Sequence, residues 1–174
     1  YEPPSLSMGG TWYVGGPKSK ATRPLNVLGK LQSGRFNSRG EVFEGLGISF
    51  GVDPAGFYLR DGLLRHKTGT LGFQAMYHER QGLKYRATVK MDPSAFLPFL
   101  AQASSREIVS RFGFKENSSV FVRIEGAGSE PKLAATKTTG RAELRDFTYK
   151  GVDFDSADGD LEIEGPVQTF RHIY

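Results

Sequence analysis

Residue types able to do chemistry are few in this chain, and their spacing assembles none of the usual sites. Histidine occurs at His66, His78 and His172. No two stand a helical turn apart, so nothing brings two imidazoles onto one metal, and three scattered rings are expected at the surface. Carboxylates are densest at Asp153, Asp155, Asp158 and Asp160. Hard oxygen ligands this close suit calcium, but the ligand order and distant bidentate Glu of a calcium loop are missing, so an acidic hairpin turn is expected instead. There is no phosphate-cradling Walker loop. The absence of cysteine removes thiolate catalysis, Cys-ligated zinc and disulfides together. Any two acids can meet in space for glycoside chemistry, but no pair is singled out. The expectation is a protein that is not an enzyme, with no metal and no cofactor.

The elements around these residues read as strands. Twenty-two glycines, nine prolines and 12% aromatics suit short strands punctuated by turns. An apolar fraction of 38% is low for a globular chain, as expected where alternate residues of a sheet face water. The net charge is +4, its excess visible in Lys18, Lys20, Arg23, Lys84, Arg86 and Lys90. Such charge either solubilises a wet face or attracts an anionic membrane surface. No RNA-binding signature, zinc finger or basic helix occurs, so nucleic acid is not an expected partner. No run reaches the roughly 18–20 apolar residues of a membrane-spanning helix.

Residues 1–24 read as an irregular segment or lead-in strand, with one strand-like burst at Thr11-Trp12-Tyr13-Val14. Strands are expected at Leu25–Leu31, Arg35–Ser38 and Val42–Phe50, then at Phe57–Arg60 and Leu63–Lys67 around an Asp61-Gly62 hairpin turn. The clearest pattern spans Thr70 to Met91. Leu71, Phe73, Ala75 and Tyr77 share one face, and Leu83, Tyr85, Ala87, Val89 and Met91 alternate with Lys84, Arg86, Thr88 and Lys90. Period-two patterning gives a strand pair one dry and one wet face, and a one-residue slip would put every apolar residue in water.

A helical insert is expected at 93–112. Asp92 can cap it, Pro98 shortens or bends it, and Ser104 with Glu107 has capping-box spacing ahead of a stop at Gly113. Its apolar stripe is expected to plug the open end of the sheet. Strands resume at Ser119–Glu125, Leu133–Lys137, Arg141–Tyr149, Val152–Phe154 and Asp160–Glu164. The final Val167–Ile173 reads as a strand without a closing turn, as in a segment of a longer chain. Residues 25–174 then form one β-rich unit. The expected fold class is mainly β: an antiparallel, curved open sheet (a β-groove, or a partly closed barrel or sandwich) with one short helical insert.

Two stretches match at a spacing of about a hundred residues. Gly34-Arg35-Phe36-Asn37-Ser38-Arg39 runs on to Phe43-Glu44-Gly45-Leu46-Gly47-Ile48, and Gly140-Arg141-Ala142-Glu143-Leu144-Arg145 runs on to Tyr149-Lys150-Gly151-Val152-Asp153-Phe154. With the following acidic-Gly pairs they form an imperfect repeat over 34–62 and 140–165, which points to a stacked or continuous β architecture. With the strand pair Leu71–Met91, these segments resemble the β-rich periplasmic region of AsmA-like, TamB-related bacterial envelope proteins. The resemblance implies long strands curled into an open groove whose apolar interior shields acyl chains between two membranes, and a place in the periplasm in outer-membrane biogenesis. It does not account for the insert at 93–112.

A groove needs no polar site, since each methylene moved from water onto an apolar face contributes about 0.8 kcal/mol. The groove-lining candidates are Leu71, Phe73, Ala75, Tyr77, Leu83, Tyr85, Ala87, Val89, Met91, Val120, Val122 and Ile124. The expected ligand is a phospholipid or other acyl chain, and the expected protein partners are neighbouring repeats of a longer chain or further copies. Two other readings use the same pattern. One is a lipocalin-like barrel around a small apolar ligand, suggested by Gly10-Thr11-Trp12-Tyr13; the other is a structural or adhesion β-module with a filled core and no ligand.

Overall fold

Alternation of side chains over so many short runs demands one broad sheet, and that is what forms. A computed structural model describes residues 4–11, 26–100, 103–132, 135–164 and 167–171. Its strands are β1 (Ser5–Thr11), β2 (Asn26–Ser33), β3 (Phe36–Ser38), β4 (Glu41–Asp53), β5 (Gly56–His66), β6 (Gly69–His78), β7 (Gly82–Lys90), β8 (Phe112–Gly128), β9 (Lys137–Tyr149), β10 (Val152–Glu164) and β11 (Val167–Arg171). They form a single antiparallel meander in which each strand pairs with the next, β3 being a short run beside β4. β1 and β11 are its two edges, so the sheet is open. Register shifts between Phe43 and Gly45, Gly47 and Ser49, Leu59 and Gly62, and Phe114 and Ser119 bend it.

The helical insert is two pieces. A 3-10 segment, Pro93–Phe99, starts under Asp92, whose carboxylate accepts the Ser94 N–H at 2.8 Å, and contains Pro98. Helix α1 (Ala103–Ser110) follows. The 3-10 segment drops Ala95, Phe96 and Phe99 onto Phe43 and Met91, closing one end of the apolar face as expected.

Several local expectations are corrected. Asp61-Gly62 is not a turn: β5 runs through it, with Asp61 at φ 52 forming a bulge and Gly62 lying beneath the Phe73 ring. Both halves of β5 keep β6 as their neighbour, so the chain bends without reversing. The acidic stretch is not a turn either. β10 is continuous, and its carboxylates face cations on β9 and, beyond it, β8: Asp158 accepts from Arg141 at 2.7 Å and Asp153 from Lys115 at 2.7 Å. Gly113 does not stop the helix; it lies inside β8 opposite Thr148. β9 is one strand from Lys137, where two were expected. Within the segment read as irregular or a lead-in strand, Ser5–Thr11 form β1, while Trp12, Tyr13 and Val14 lie outside the described residues. The two matched segments are each strand–turn–strand, but their turns, Arg39-Gly40 and Lys150-Gly151, fall at different points of the match.

Candidate functional site

The register assigns every strand residue to a face. Through the middle of the sheet, Leu31 lies opposite Ile48, Phe50 opposite Leu59, Leu59 opposite Ala75 and Ala75 opposite Tyr85. Further along, Ala87 meets Ile124, Val122 meets Ala142, Val120 meets Leu144 and Leu144 meets Ala157. Leu6 and Met8 extend the same face onto β1, and Leu161 and Ile163 extend it onto β10. One face of the sheet is therefore predominantly apolar from β1 to β10. The other carries Lys30, Arg60, Arg65, Lys84, Arg86, Lys90, Arg123, Arg141 and the acids of β10.

Eleven of the twelve sequence-derived candidates fall on this apolar face by register, and Met91 follows the end of β7. Leu71, Phe73, Ala75, Tyr77, Tyr85, Ala87, Val89, Val120, Val122 and Ile124 are half-buried. Leu83 is buried at 5% exposure. Met91, at 1%, is enclosed under the 3-10 segment with Phe43 and Ala95, so it belongs to the closed end. The sequence reading missed Phe50, Leu59, Leu144, Leu161 and Ile163 as members, although their parity relative to neighbouring strands would have included them once the register was known.

Among the described residues no second layer covers this face in its middle. Strands contact their ladder neighbours, and the insert packs at one end. Among the described residues the buried apolar side chains are Phe43, Leu83, Met91, Ala95 and Phe147. A sheet of this breadth with a filled core would enclose many more, since buried core residues normally touch apolar neighbours on every side. Several aromatic rings lie flat on the sheet: Phe50 covers Gly29, Phe73 covers Gly62 and Tyr85 covers Gly126, each where a Cβ would stand. Flat rings keep the surface low and protect the backbone of the glycine strands. The Tyr85 hydroxyl shares hydrogen bonds with Thr136, at 3.3 Å, and with Thr138, so the polar atoms near Leu83 are satisfied.

His66 was expected at the surface and is instead buried at 5% exposure, on the apolar face beside the closed end. Its Nε2 stands 2.9 Å from Glu41 Oε1 and its Nδ1 2.8 Å from Thr68 Oγ1. With the proton on Nε2, the ring donates to Glu41 and accepts from Thr68, whose hydroxyl oxygen also accepts the Asp92 N–H at 3.1 Å. The imidazole ties β4 to the start of the insert. Among the described residues no group of three or more potential ligands converges on a metal site.

Electrostatics divide the charged face. From Arg86 of β7 across to β11 charges are paired: Arg86 with Glu125 at 3.1 Å, Lys137 with Glu162 at 2.7 Å, and Arg171 with Glu162 at 3.3 Å. The hydrogen bond from Lys137 holds the Glu162 carboxyl below the usual range, and the same bond raises the Lys137 ammonium. Across β5–β7 cations outnumber acids. Three depressions in the surface lie on this charged side, the largest about 730 Å³. The apolar side is a broad open surface without a described enclosed cavity. Comparison of the chain with family models, with curated proteins and with solved structures finds no match.

Proposed function

We propose that this chain is a non-enzymatic lipid-binding segment of an AsmA-like envelope protein, laying acyl chains along the apolar face of its open sheet and shielding them during passage between membranes. The observation that carries this reading is the apolar face running from β1 to β10, over which no described residue lays a covering layer at Phe73, Ala87, Val122 and Leu144. An exposed apolar surface of that extent requires a covering partner. Acyl chains suit it because the face offers no polar specificity, and each covered methylene contributes about 0.8 kcal/mol. The insert covers the face at the Phe43–Met91 end, so tails lie along the middle, over Ala87 and Val122.

Native mass spectrometry after mild extraction tests the reading, with co-purifying phospholipid as the expected result. Ala87→Asp and Val122→Asp, each placing a charge mid-face, should abolish that adduct while the chain stays folded by circular dichroism. Folded variants that retain the lipid would sink the proposal. A single small apolar ligand would favour a barrel-type binder. A lipid-free dimer would mean that a second copy covers the face, and a lipid-free monomer would leave a module without ligand.

A further inference from the structure

The charged face holds a depression of about 730 Å³ over the middle of β5–β8. Two rows of the ladder build it. In one, Tyr58 lies opposite Met76 and Met76 opposite Lys84; in the next, Gln74 lies opposite Arg86. Arg60 enters from the β5 bulge, its guanidinium carbon 4.4 Å from the Tyr58 ring centroid. The wall carries four cations, Arg60, Lys84, Arg86 and Lys137, against the carboxylates Asp53 and Glu125. Arg86 and Lys137 are already tied to Glu125 and Glu162. Among the described residues, Arg60 and Lys84 make no ion pair. Two uncompensated cations therefore converge on a concave floor that includes Met76, 40% exposed.

We propose that this depression binds a phosphate-bearing anionic group, carried either by a free small molecule or by a lipid headgroup. A guanidinium presents paired N–H donors that match two phosphate oxygens, and the Arg60 guanidinium is already oriented by the Tyr58 ring. Lys84 adds a compact positive charge from β7, across Met76 of the intervening β6. A volume of about 730 Å³ exceeds one phosphate, so a glycerol or sugar moiety accompanies it and rests on Tyr58 and Met76. This site lies on the face opposite the acyl trough and does not depend on that reading.

The full chain at low ionic strength is titrated with glycerol 3-phosphate and, separately, with dihexanoyl phosphatidic acid below its micelle concentration, following backbone amide shifts by NMR. Saturable shifts centred on Tyr58, Met76 and Lys84 are expected, weakening as salt is added. Arg60→Gln with Lys84→Gln should lower affinity about tenfold or more, the effect of losing charge-assisted hydrogen bonds. The control pair Arg65→Gln with Lys90→Gln removes the same charge from the same face outside the depression and should change affinity by under about twofold. Equal affinity for both probes identifies a free phosphorylated molecule, and tighter binding of the lipid identifies a headgroup. No saturable binding of either probe, or an equal loss in the control pair, overturns the proposal. Acyl capture on the other face should be unaffected in all these variants, so the two readings fail separately.

Discussion

The two parts of the apolar face are built from the same kinds of residue and end in different states. At the Phe43–Met91 end, the 3-10 segment lays Ala95, Phe96 and Phe99 over the sheet, and Met91 falls to 1% exposure. A few residues away, Ala87 and Val122 carry equally apolar chains in equally regular strands and remain half-covered. The difference is a single Pro-containing insert. Alternation determines which side of a strand is dry, whereas the presence of a covering layer is decided by residues elsewhere in the chain. The closed end is a small hydrophobic core; the middle is held by ladder hydrogen bonds and backbone shape.

The largest expected effect breaks that contrast directly. Met91→Ala removes an enclosed side chain whose surroundings cannot collapse freely, and should cost about 2–5 kcal/mol in chemical denaturation. Val122→Ala removes part-covered methyl groups and should cost about 1 kcal/mol or less. Equal costs at both positions would mean that the middle of the face is packed like a core.

This contrast also explains what could be read from the residues. The Leu71–Met91 pair, its register and its dry face follow from unbroken period-two patterning, and Asp92 with Pro93 announces the insert. What was misread depends on partners distant in the chain. Asp61-Gly62 has the composition of a turn, and only the pairing of both halves of β5 with β6 makes it a bulge. The acids of β10 look like a loop until Arg141 and Lys115 are brought alongside. His66 looks like a surface ring because its partner Glu41 is contributed by β4. The extent of the trough was underestimated for the same reason: Phe50 and Leu144 join it through register, which no local pattern contains.

If backbone shape holds the middle, strain there should matter more than lost methyl groups. Asp61 sits at φ 52, a left-handed conformation that aspartate tolerates and a β-branched residue does not. Asp61→Val should destabilise the chain by about 1–2 kcal/mol, while Asp61→Gly, free of that penalty, should be close to neutral. Both are read as shifts in thermal midpoint. A neutral Asp61→Val would show that the bulge contributes nothing to the shape of the middle.

The smallest effect is expected on the charged face. The Glu162 carboxyl is depressed first by the hydrogen bond from Lys137 and then by the charges of Lys137 and Arg171. A depressed folded-state value means that the pair's contribution is present above the unfolded carboxylate pKa and is lost as pH falls through the folded one. For Lys137, raised by the same bond, the contribution is lost as pH rises through its elevated value. Lys137 is exposed and Glu162 partly so, in contact with solvent that screens the pair, so Lys137→Gln should move the Glu162 titration, followed by carboxyl-carbon NMR, toward higher pH with little change in thermal midpoint. A large fall in midpoint would show instead that the ion ladders of β8–β11 hold the sheet together, and the division between a packed end and a backbone-held middle would have to give way to a role for charge pairing.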